Sequence, residues 1–257
     1  NSNEVVNWLA GDRGNVINLE LDWWQPNERV VGAIQVDGRG REYNIFLRTL
    51  HTQKGTYEVG EAIPMAHYSN AEKTKSEVSN SKIRIASSIG SKILSLESPI
   101  IVLAADPAET YSIAEKLFSD SKDFDQDEDI NLLIKLVQSE LGEDFPLAKF
   151  LVRRIAVHSS AMPDEIRFLI EDLMANEKLQ ALVATTTIAQ GINFPVSAVI
   201  MGAFNYPFRG PMPIRDFWNL AGRVGRTGQD SMGWVGLAVR NNQDLLDVGQ
   251  YVMQATD

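Results

Sequence analysis

From Pro99 onward the chain alternates short, wholly apolar runs with amphipathic ones, and that alternation admits few folds. Ile100 to Ala105, Ile155 to Ser159, Ala181 to Thr185, Val196 to Ala203 and Gly233 to Val239 read as strands, being apolar and too short for helices. Between them Ala108 to Phe118, Asp129 to Leu141, Pro163 to Ala175 and Ile214 to Leu220 read as helices, and a closing helix begins at Gln243. Strands that are apolar throughout must be covered on both faces. Helices between successive strands supply that cover, so the pattern predicts an α/β fold with a mostly parallel sheet and helices on both faces.

The chain before this point reads differently. Ile83, Ile85, Ile89, Ile93 and Leu96 mark a helix by their spacing. Ahead of it, Val16 to Leu21, Arg29 to Val36 and Glu42 to Leu50 are β-rich, and Asp37-Gly38-Arg39-Gly40 between the last two predicts a hairpin. Ser2 to Leu9 suggests a short helix ended by Gly11 and Gly14, and the polar stretch Tyr57 to Asn80 reads as a loop. The expected division is therefore a connecting, β-rich extension over 1–80 and an α/β domain over 81–257.

The net charge of -10 argues against a protein that coats nucleic acid with its whole surface, since such binding needs Lys and Arg to neutralise phosphates. The charge is segregated, however. Asp120 to Asp129 holds six acidic residues against Lys122, whereas Arg209 to Arg226 holds four Arg against Asp216. With no Cys and three dispersed His (His51, His67, His158), a disulfide framework, a thiolate zinc site and a Cys nucleophile are excluded, and no metal site is expected in this chain. No run approaches the roughly 18 apolar residues of a membrane span. The expectation is a cytoplasmic protein with no membrane partner.

Two segments carry chemistry. In Asn219 to Gly228, Arg223 and Arg226 each follow a glycine, Gly222 and Gly225, so two guanidinium forks stand close together where a ligand can approach the backbone. Such a pair suits a polyphosphate; it equally suits a glycine-rich turn whose arginines make surface salt bridges. In Ala184 to Pro195, hydroxyls follow directly on a strand, and the carboxyl ends of parallel strands are where α/β sheets bind ligands. Taken alone, that segment reads as an ordinary strand-turn connection.

Together, in this order, the two segments resemble motifs V and VI of the superfamily 2 helicases. Ile100 to Ala105 resembles the motif IV strand, and His158-Ser159-Ser160-Ala161-Met162-Pro163 looks like the loop preceding motif V in the Ski2-like branch. Asn193 stands where DEAD-box members usually carry Asp, and Asn219 where the family usually has Gln or His. The likeness covers roughly Pro99 to Arg240 and implies a RecA-like, P-loop-NTPase-type domain. It implies that Arg223 and Arg226 reach ATP phosphates across an interdomain cleft, with Arg226 the preferred finger. Gly191, Asn193, Gly222 and Gly225 would serve nucleotide binding and its coupling to strand movement. Thr185, Thr187, Ser159 and His158 would hold the backbone of one DNA or RNA strand, although a lone His at a strand end more often has a structural role.

A motor of this class also needs a G-x-x-x-x-G-K-[ST] loop and an acidic Mg²⁺ motif after a strand. Gly90-Ser91-Lys92 lacks the Gly-Lys pair, Asp127-Glu128-Asp129 reads as a solvated loop, and Asp106 reads as a strand-helix connection. The P-loop and Mg²⁺ ligands are therefore expected on an N-terminal RecA-like domain upstream in the same polypeptide, and this chain alone is expected to hydrolyse ATP negligibly. A non-unwinding translocase or remodeller would keep the same motifs; a catalytically silent binding module would not need the arginines. Trp218 is expected in the core, whereas Trp23 and Trp24 fit burial or contact with another domain as well as base stacking.

Overall fold

The computed structural model describes residues 28–52, 55–56, 60–95, 99–125, 127–190, 196–206, 210–225 and 232–254. The expected helix at Ser2 to Leu9, the run Val16 to Leu21, and Trp23 and Trp24 lie outside the described residues.

β1 (Glu28–Arg39) and β2 (Glu42–Thr52) form the expected hairpin, and β3 (Gly55–Thr56) and β4 (Ala62–Tyr68) both pair with β2. Next come α1 (Lys75–Ser79), α2 (Lys82–Leu94), β5 (Ile100–Ala104), α3 (Pro107–Asp120), α4 (Glu128–Leu141) and α5 (Pro146–Leu151). β6 (Ile155–His158), α6 (Asp164–Ala175) and β7 (Ala181–Thr185) follow, then a 3-10 turn, Thr186–Gln190. β8 (Ala198–Met201), a two-stranded ribbon of β9 (Asn205–Tyr206) and β10 (Gly210–Pro211), α7 (Ile214–Ala221), β11 (Met232–Ala238) and α8 (Asn242–Gln254) complete the described chain.

The main sheet runs in the order β3-β2-β1-β11-β8-β5-β7-β6, with every pairing from β1 to β6 parallel. The β-rich extension thus continues the same sheet, because β1 lies parallel to β11 from Glu28 opposite Met232 to Ile34 opposite Ala238. Ile100, Ile101, Val102, Leu103, Leu182, Val183, Val199 and Ile200 are wholly buried, as strands covered on both faces require. The chain moves one way from β5 to β6 and returns past β5 to β8 and β11, so crossovers of the usual right hand put α3 on one face and α6 and α7 on the other. This is an α/β architecture with a mostly parallel sheet. Among the described residues no helix is long and apolar enough to cross a membrane.

Three expectations fail for local reasons. The stretch Tyr57 to Asn80, read as a loop, contains β4 and α1. In β4 only Ala66 is buried, and the alternation breaks after Met65, the extra residue where the ladder shifts between Ile45 and Phe46; Pro64 sits at this edge, where proline is tolerated. α1 is too short to show a period, and a capping box sets it: the Thr74 hydroxyl accepts from the Glu77 amide at 3.3 Å, and the Glu77 carboxylate from the Thr74 amide at 2.8 Å. α5, not anticipated at all, is similarly short, and it buries Leu147, Phe150 and Leu151.

Asp127-Glu128-Asp129 is the start of α4 and not a solvated loop. Asp127 Oδ1 accepts from the amides of Asp129 and Ile130 at 3.0 and 3.2 Å, while Lys178 pairs with both Asp127 and Asp129. Clustered acids are stabilised there by the unpaired amides and positive dipole end of the helix.

Candidate nucleotide and nucleic-acid site

α7 buries Phe217, Leu220 and Ala221 completely, and its chain leaves through a tight turn. The Gly222 amide donates to the Trp218 carbonyl at 2.8 Å, Arg223 to Leu220 at 3.1 Å and Val224 to Ala221 at 3.2 Å. Val224 then bridges Val196 in parallel: the Val196 amide donates to the Arg223 carbonyl at 3.1 Å, and Gly225 to the Val196 carbonyl at 2.8 Å. This joins the arginine turn to the segment that follows the threonine run. Gly225 has φ +86°, a region L side chains avoid. A Cβ on Gly233, at the start of β11, would lie 2.4 Å from the Gly225 nitrogen and 2.7 Å from its Cα. Both glycines are thus needed to seat the turn. Arg223 is half-buried; Arg226, Gly191 and Asn193 lie outside the described residues.

His158 and Thr185 end two neighbouring parallel strands, where His158 pairs with Ala184 and Thr185 with Ala104. Ser159 and Thr185 are buried, whereas Thr187 is exposed, and the hydroxyls of Thr185 and Thr187 lie 3.0 Å apart. The structure therefore gathers His158, Ser159, Thr185 and Thr187 at one edge, with Thr187 open to solvent. His158 is 7% exposed, and its Nε2 lies 2.7 Å from Glu171 Oε1 on α6. Burial holds its pKa below the ordinary histidine value, outweighing the Glu171 hydrogen bond and charge that pull it up. A neutral imidazole donating Nε2–H to the carboxylate satisfies both groups.

That pairing has a pH signature. A histidine whose folded pKa is depressed contributes stability that is present above its unfolded pKa and lost as pH falls toward the folded one. The unfolding midpoint in denaturant should therefore drop between about pH 7 and pH 5. Replacing His158 with Gln should flatten that part of the profile; an unchanged slope would rule His158 out as its source.

The two groups stand at opposite edges. The arginine turn meets β8 and β11 where they begin, while His158 and Thr185 mark where β6 and β7 end. Five residues of strand separate such edges by roughly 16 Å. The 3-10 turn Thr186–Gln190 and α7 pack on one another across this span.

The strand order reverses beside β5 and β8, the point where a doubly wound sheet usually offers a helix N-terminus to a phosphate. Here the chain's own carboxylates occupy that end of α3. Asp106 Oδ1 accepts from the Glu109 amide and Glu109 Oε2 from the Ala105 amide, both at 2.9 Å. Asp106 is thus a helix cap, in keeping with its reading as a strand-helix connection. A cavity of about 370 Å³ at this reversal has Glu109 in its wall beside Lys82 and Arg240. Lys82 and Arg240 both pair with Asp244, at 3.4 and 2.8 Å.

Sequence reasoning missed Glu171 and the buried acid Asp216. Nothing in the spacing marks Glu171 as the partner of His158. Asp216 did leave a signal, because it shares the apolar face of α7 with Phe217 and Leu220. Trp218 packs edge-on to Phe217 and His51, at 5.2 and 5.1 Å between centroids.

The family model described as helicase conserved C-terminal domain matches residues 122–228. The chain is 39% identical over 104 residues to Hachiman protein HamB of Bacillus cereus, covering 40% of this chain and 9% of that protein. It is 31% identical over 112 residues to the ATP-dependent DNA helicase Hel308 of Pyrobaculum calidifontis, covering 42% and 15%. It is 33% identical over 113 residues to the U5 small nuclear ribonucleoprotein 200 kDa helicase of Drosophila melanogaster, covering 42% and 5%. The matched part is thus a small fraction of each relative.

Proposed function

We propose that this chain, whose residues 122–228 form a helicase conserved C-terminal domain of superfamily 2 in its Ski2-like branch, is the second RecA-like motor domain of an ATP-driven cytoplasmic helicase or translocase. In this reading residues 81–257 are the motor domain, and 1–80 are a connecting segment and a β-rich extension of its sheet, following a preceding RecA-like domain of the same polypeptide. That domain brings the P-loop and the Mg²⁺ ligands. ATP, when bound between the two, supplies a terminal phosphoryl group for transfer to water.

The arginine turn fits such a nucleotide as the charge-neutralising half of a shared site. Arg223 and Arg226 present guanidinium forks to the phosphates, with Arg226 on the terminal one. Gly222 and Gly225 let the backbone approach, and Gly191 and Asn193 carry the change toward the threonine run. At the other edge Thr187 and Thr185, supported by Ser159 and His158, hold the backbone of a single nucleic-acid strand. Contacts of that kind fix register without reading sequence. The observation that carries the proposal is the Val196–Val224 bridge, which ties the arginine turn to the segment leading from the threonine run.

The relatives include a DNA helicase and a ribonucleoprotein helicase, so the test uses both nucleic acids. ATP hydrolysis by the full-length protein is expected to rise on adding single-stranded DNA or single-stranded RNA. No rise with either would favour a silent binding module.

A further inference from the structure

Between the two edges runs a line of buried side-chain hydrogen bonds. Thr186, the middle of three consecutive threonines, is fully buried and donates its hydroxyl to the Asn205 carbonyl at 2.9 Å. The next residue, Tyr206, is 7% exposed and donates its hydroxyl to Asp216 Oδ2 at 2.8 Å. Asp216, 3% exposed, stands in the first turn of α7, whose far end is the arginine turn. The β9 residues are thereby tied on one side to the threonine run and on the other to the helix that leads into the arginine turn.

The entry to α7 is fixed as well. The Met212 carbonyl accepts from the Tyr251 hydroxyl at 2.8 Å, its amide donates to the Phe204 carbonyl at 2.7 Å, and Phe217 packs edge-on to Tyr251. With α7 held at both ends, displacement at one end is felt at the other. A carboxylate buried on an apolar helix face is costly, and an apolar side chain there would serve packing at least as well.

We propose that Thr186, Tyr206 and Asp216 are positioning residues that make the threonine run and α7 move as one body. A strand held at Thr187 then sets the placement of the arginine turn. None of the three touches strand or nucleotide; they act through Thr185, Thr187 and Arg223. This rests on the motor reading above.

The test uses the full-length protein with Tyr206→Phe, Thr186→Val, the double variant and Asp216→Asn. Tyr206→Phe and Thr186→Val should each lower the stimulation of ATP hydrolysis by single-stranded nucleic acid about fivefold or more, the usual scale of coupling between sites. Strand-free hydrolysis and strand affinity without ATP should stay unchanged. The double variant should be no worse than the worse single one, since both cut the same line. Asp216→Asn, which still accepts from the Tyr206 hydroxyl, should retain stimulation.

Additive losses, full stimulation in Tyr206→Phe, or a matching loss of strand affinity would each overturn the proposal. Amide hydrogen exchange without nucleic acid decides the link even if the motor reading fails. Tyr206→Phe should speed exchange in both 214–221 and 186–190, and faster exchange confined to 205–211 would refute it.

Discussion

Arg226→Ala in the full-length protein is expected to lower strand-stimulated ATP hydrolysis by about 10³- to 10⁵-fold, the range an arginine finger supplies in phosphoryl transfer. The loss should fall on kcat, because a guanidinium opposite a transferring phosphoryl group strengthens its contact as charge develops there and so stabilises the transition state more than bound ATP. Arg226→Lys should not restore the rate, since an ammonium keeps the charge but lacks the planar fork. Strand affinity should be unchanged, because the hydroxyls proposed to grip the strand lie at the opposite edge of the sheet from Arg223 and Gly225, the described part of the turn. The 257-residue chain alone should turn over no ATP, its arginines having no phosphate held against them. Wild-type turnover by the Arg226→Ala protein would remove Arg226 from the site, and turnover by the isolated chain that Arg226→Ala abolishes would refute the shared-site proposal.

How far the sequence alone leads depends on how many of its own periods an element spans, about two residues for a strand and 3.6 for a helix. β5, β7, α4 and α6 are legible because each holds a full period of apolar residues, and burial then follows from that period. α1, α5 and β4 are not, since five or six residues span barely more than one helical turn, and the extra residue Met65 breaks the alternation of the edge strand. The candidate site divides in the same way. The glycine-arginine turn and the threonine run stand out by local composition. Their placement at opposite edges follows only from the sheet order, and the ties through Asn205, Tyr206 and Glu171 join residues that no local spacing relates. Thr186 shows the limit most plainly: in sequence it is indistinguishable from Thr185 and Thr187, yet its hydroxyl points inward to a carbonyl while Thr187 meets solvent.

Gly233→Ala tests whether the seating of the arginine turn matters apart from the arginines themselves. The added Cβ would fall 2.4 Å from the Gly225 nitrogen and 2.7 Å from the Val224 carbonyl carbon, and these are backbone atoms with no rotamer to yield. Either β11 gives up its start, where Gly233 pairs with Arg29, or the turn moves away. Moving the turn breaks the donation from Gly225 to Val196, because that bond is made by the nitrogen that must retreat. Overpacking of this kind costs about 1–3 kcal/mol, so the domain should still fold. A displacement of about 1 Å at a catalytic group can cost on the order of 10²-fold in rate. Hydrolysis should therefore fall roughly 100-fold, with strand binding retained and only a modest loss in melting temperature. Equal losses of hydrolysis and strand binding would instead mean that the domain had unfolded, and full activity would mean that the turn need not sit where Val196 holds it.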